Sequence, residues 1–67
     1  MMDIEKIRRT VNKKVIAFNL ACERGQYEYM RECFQRLQGM QEVLQDIGVR
    51  MYMKTDADFH LVCDIEA

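Results

Sequence analysis

The only histidine of this chain, His60, stands two residues after Asp58 and three before Cys63. A histidine beside a carboxylate is the pattern of a general base with an orienting partner. A thiol in the same run raises Cys–His nucleophilic chemistry, and the trio Asp58, His60 and Cys63 raises a metal site. Alternation along a strand argues against both. His60 and Cys63 point to opposite faces, and the three groups lie too close on one strand to converge on an ion. His60 therefore reads as an exposed histidine. The sequence offers no catalytic, cofactor-binding or metal-ligating set, and a non-enzyme is expected.

A second group with chemical potential is the basic run Lys6, Arg8, Arg9, Lys13 and Lys14. Lys6, Arg9 and Lys13 share one helical face, where they suit phosphate or an acidic protein partner. A solvated face is the ordinary reading of such a run. The acidic set Asp56, Asp58, Asp64 and Glu66 is the natural counterpart of these cations on another protomer, where ion pairs bias orientation more than they stabilise.

Charge is uneven along the chain. Residues 1–24 carry six basic and three acidic side chains, while 25–48 and 49–67 each carry two basic and four acidic ones. The sum is −1, less basic than strong nonspecific binding to nucleic acid needs. The three cysteines, Cys22, Cys33 and Cys63, form no CxxC pair and sit at apolar positions. They read as reduced thiols of a cytoplasmic chain, used as small hydrophobes. The opening residues place charges where a signal peptide needs an apolar run, and no membrane span is expected.

The elements that position these groups follow from period. Asp3 is a helix N-cap with Glu5 in the first turn. Ile4, Ile7, Val11, Val15, Phe18 and Cys22 then recur at three and four, so a helix is expected over about 3–24. Gly25 ends it, as a left-handed residue after a helix does. Tyr27, Met30, Phe34, Leu37, Gln41 and Leu44 carry a second helix over about 26–47, ended by Gly48. The short connection makes the two antiparallel. The period then drops to two, giving strands over about 49–54 and 59–66 around a Thr55-Asp56-Ala57-Asp58 turn. Pairing Met53 with Phe59, Met51 with Leu61 and Val49 with Cys63 puts every odd residue on one apolar face. The expectation is an α+β single domain over 1–67, a helical hairpin followed by a β-hairpin (ααββ).

A helical wheel adds a second apolar stripe to each helix. Ile16 and Leu20, with Ala17 and Ala21 beside them, lie away from the main stripe of the first helix. Tyr29, Cys33, Met40, Val43 and Ile47 lie beside that of the second. Gly39, on the polar side, hints at a bend or the close approach of another backbone. A chain of 67 residues buries only roughly 60% of its unfolded surface. Either its own hairpin covers the second stripes, or a second copy does, by helix packing or by strand edges pairing. A homodimer is expected, with Ile16, Leu20, Tyr29, Cys33, Met40 and Ile47 as the interface to the second copy or to a protein partner. The methionines, Met1, Met2, Met30, Met40, Met51 and Met53, make such surfaces adaptable.

The stretch Ala21-Cys22-Glu23-Arg24-Gly25-Gln26-Tyr27-Glu28-Tyr29 resembles the turn of a tetratricopeptide helix pair. One pair does not make such an array, which stacks several repeats. The functional expectation is a small non-enzymatic interaction protein that binds another protein. Its nearest class is the accessory or inhibitory proteins of phages and other mobile elements, such as blockers of host defence. The alternative is a small nucleic-acid-binding regulator using Lys6, Arg9 and Lys13.

Overall fold

The computed structural model describes residues 3–66. The order is α1 (Ile4–Glu23), α2 (Tyr27–Asp46), β1 (Arg50–Thr55) and β2 (Leu61–Glu66), so the expected ααββ architecture is present. Met1 and Met2 lie outside the described residues.

Local chemistry sets the helix ends. The Asp3 carboxylate accepts the Lys6 N–H at 3.2 Å, satisfying one of the orphan donors of the first turn of α1. Both helices finish in the same way. Gly25 (φ +70°) follows α1, and the Gln26 N–H returns to the Ala21 carbonyl at 2.8 Å. Gly48 (φ +83°) follows α2, and the Val49 N–H returns to the Leu44 carbonyl at 2.8 Å. These are paired Schellman closures, which need a residue free to adopt positive φ. The second one also delivers Val49 and Leu44 into one apolar cluster.

That cluster lies between the helices and one face of the hairpin. Val11 and Val15 come from α1, Leu37 and Leu44 from α2, and Val49, Met51, Leu61 and Ile65 from the C-terminal third. Leu37, at the centre, is 0% exposed. Phe18 and Phe34 close the end near the helix turn, ring centroids 6.1 Å apart. The main stripes thus face the core, except that Tyr27 is exposed. Ala21, expected beside the second stripe of α1, is instead buried at its C-terminal turn.

The hairpin keeps the expected face but not the expected register. Met51 pairs with Ile65, Met53 with Cys63 and Thr55 with Leu61, displacing each pair by four positions. The odd residues of both strands still face the helices. Hydrophobic parity constrains the face and leaves register to the turn. Here Asp56 decides. Its Oδ1 accepts the N–H groups of Asp58 (2.9 Å) and His60 (3.0 Å), and its own N–H donates to the His60 carbonyl at 2.9 Å. The reversal is therefore Ala57-Asp58-Phe59, a tight turn followed by a left-handed residue. Phe59 fills that last position at φ +63° and leaves the strand.

Both edges of the two-stranded sheet are engaged by helix side chains. Asn19 bonds Leu61 twice: its Nδ2 donates to the carbonyl at 3.1 Å, and its Oδ1 accepts the N–H at 2.7 Å. Arg8 donates to the Ile65 carbonyl at 3.2 Å. On the other edge, Gln41 donates to the Met51 carbonyl at 2.7 Å. Backbone groups that would template a further strand are thereby occupied at three of the outward-facing residues.

Replacing Asn19 by Ala strands both backbone groups of Leu61 in a half-buried place. A loss of about 1–3 kcal/mol is expected in urea unfolding, together with faster hydrogen exchange at the Leu61 amide. Unchanged stability would mean that water substitutes freely and that the edge is not held by Asn19.

Candidate interaction surface

Asp58 and His60 stay together at the hairpin turn, and Cys63 is apart from them. His60 precedes β2, and its Nε2 lies 3.0 Å from Glu23 Oε1 at the end of α1. Its carboxylate partner is thus on another element and is not Asp58, the neighbour that the sequence suggests. Asp56, Asp58 and His60 do bring potential ligand atoms within 4.8 Å of one another, whereas Cys63 is not in this group. Two backbone N–H groups already occupy Asp56 Oδ1, and Glu23 faces His60, so these contacts hold the turn against α1.

The thiols are all free, and Cys33 is 2% exposed. Cys33 belongs to the chain's own interior and offers nothing to a partner, contrary to its expected place in an interface. Burial pushes the Cys63 thiol above its ordinary range, with the Asp64 carboxylate adding to the effect.

The surfaces differ by face. On the outer side of the sheet the cross-strand pairs are Arg50 with Glu66, Tyr52 with Asp64 and Lys54 with Val62, a mostly charged face. The helical layer is apolar in two places. Ile16 (59% exposed) and Leu20 lie on the flank of α1. On α2, Tyr29, Val43 (63% exposed) and Ile47 are open, and Met40 is half-buried against the core. A groove runs between the helices on this side, with Ile7, Thr10 and Val11 on one wall and Gly39, Met40 and Val43 on the other. Gly39, expected on the polar side, is thus part of an apolar groove. Lys6 stands on its rim, and Lys6, Arg9 and Lys13 are all exposed. Among the described residues no helix is long and apolar enough to cross a membrane.

Sequence reasoning missed three parts of this picture. The edge contacts of Arg8, Asn19 and Gln41 carry no periodic signal. The Glu23–His60 contact joins residues remote in sequence. Phe59 stands 80% exposed in the turn, where alternation placed it in the core face. The Asp-Ala-Asp spacing, which favours a side-chain-bonded turn, was the available clue.

Comparison with protein families, with characterised proteins and with solved structures returns no match for this chain. Its surfaces must be interpreted from their own chemistry.

Phe59 combines positive φ with an exposed ring, and Phe59→Gly keeps that φ without its steric cost and without forfeiting burial. A gain of about 1 kcal/mol in unfolding free energy is expected; a clear loss would show that the ring packs on the fold. For the thiols, Cys33 should resist alkylation until the chain unfolds. Cys63 should react more slowly at neutral pH than an unhindered thiol, because less thiolate is present. Its folded state holds the proton more tightly than the unfolded state, so this group's contribution to stability falls as pH rises through the ordinary thiol value of 9.0. Alkylation followed by mass spectrometry tests the two rates.

Proposed function

We propose that this chain is a small non-enzymatic protein-interaction module, a homodimeric accessory or inhibitory protein that acts by binding another protein. The observation that supports this reading is the asymmetry of its surface. The outer face of the sheet is charged, while the helical layer leaves Ile16, Leu20, Tyr29, Val43 and Ile47 exposed. Exposed apolar patches on a small chain mark interaction sites more often than vacant ones. Engagement of both strand edges by helix side chains favours helix packing over strand pairing as the mode of association.

Light scattering after size exclusion tests the dimer. The expected mass is twice 8.0 kDa. A mass of 8.0 kDa that persists at high concentration removes the homodimer from the reading.

The alternative, a nucleic-acid-binding regulator, is favoured by the common exposure of Lys6, Arg9 and Lys13 on α1. It requires binding that weakens steeply with salt. Absence of any mobility shift with DNA or RNA at low salt eliminates it.

A further inference from the structure

We infer that the groove side of the helical layer is the contact face for a second copy of this chain, with α1 of each protomer lying along α2 of its partner and the two sheets turned outward. This rests on the dimer proposed above and adds its geometry.

Three observations converge on that face. The first is its composition. Tyr29, Met40, Val43 and Ile47 recur along one side of α2, and Met40 and Val43 line the groove against Ile7 and Thr10 of α1. On the wheel, Ile16 and Leu20 lie on the outer flank of α1, outside this face. Arg36, on the same side of α2, is one turn from Glu32.

The second is Gly39. A glycine in mid-helix weakens the helix, and nothing within the chain calls for one here. A side-chain carbon built on Gly39 meets no atom within 4 Å. Its φ is not in the positive region that explains Gly25 and Gly48. What a missing side chain does provide is room for another backbone to approach. Thr10 and Ala17, on the corresponding side of α1, are small as well.

The third is charge, and it selects the arrangement. The helices are antiparallel, and the groove sets Lys6 and Ile7 level with Val43 and Leu44. The basic half of α1 is thus level with the half of α2 that carries Glu42 and Asp46. A two-fold axis parallel to the helices keeps those heights and lays α1 on the partner's α2. Lys6 of one copy, on the rim of the groove, then stands beside the partner's Asp46. The perpendicular two-fold would lay α1 head to tail on α1, away from the acidic end of α2, and would set Lys13 and Lys14 at mid-helix against their own copies. The first arrangement is closed and satisfies both copies equally.

Charge reversal provides the test. Lys6→Glu puts an acid in the first turns of α1, and Asp46→Lys puts a base in the last turn of α2. Each change suits its own helix dipole, so folding is preserved while the contact between copies is reversed. Dimer dissociation is followed by analytical ultracentrifugation, with circular dichroism reporting the fold. Each single reversal should raise the dissociation constant at least about tenfold, and the double variant should recover most of it. Gly39→Gln, a bulkier and better helix former, should raise thermal stability of the monomer and abolish the dimer. A dimer indifferent to all three changes overturns this geometry and leaves the proposed function standing. A wild-type chain that remains monomeric overturns this geometry and the homodimer on which it rests.

Discussion

A two-stranded antiparallel ribbon is too small to stand alone in water, and the rest of this structure follows from how that ribbon is held. The odd residues of β1 and β2 turn their side chains toward the helices, and at Met51, Leu61 and Ile65 the backbone is bound as well. Gln41 takes the first, Asn19 the second and Arg8 the third. The ribbon is therefore fastened through two kinds of contact at the same residues. Apolar burial sets which face lies down. Directional hydrogen bonds set where along the helices it lies, and they occupy edges that would otherwise recruit another strand.

Covering one side of the helical layer leaves the other side open. The core draws on Val11 and Val15 from α1 and on Leu37 and Leu44 from α2, between the helices and the sheet. The remaining apolar positions of α2 are then left to water or to a partner. A larger domain would add a layer here. The described elements add none there. The histidine, its carboxylate and the acidic turn are engaged in fixing the hairpin tip against the end of α1.

Much of the fold was legible because the signals are local. Asp3 caps α1, Gly25 and Gly48 close the two helices, and the drop from helical period to alternation announces the strands. The candidate surface was legible in part. Ile16, Leu20, Tyr29 and Ile47 are exposed as the wheel implies, yet Cys33 is buried and Met40 half-buried. A wheel reports direction about one helix axis and carries no information on where the neighbouring helix crosses. Cys33 is covered, whereas Tyr29 and Val43 stay open. Register failed for a related reason. Several registers of the same parity bury the same face, and the choice among them fell to the Asp56 carboxylate, a single polar group at the turn.

The sequence by itself determined element order, helix ends and the apolar face of each element, since these depend on periodicity and on backbone conformations available to particular residues. Tertiary structure alone decided the engagement of the sheet edges by Arg8, Asn19 and Gln41, the partnering of His60 with Glu23, and the placing of Gly39 in a groove rather than on a polar flank. The physical reason is common to all three. Each depends on how far apart, and at what angle, elements remote in sequence come to rest, and a linear pattern of apolar and polar residues specifies facing but not distance.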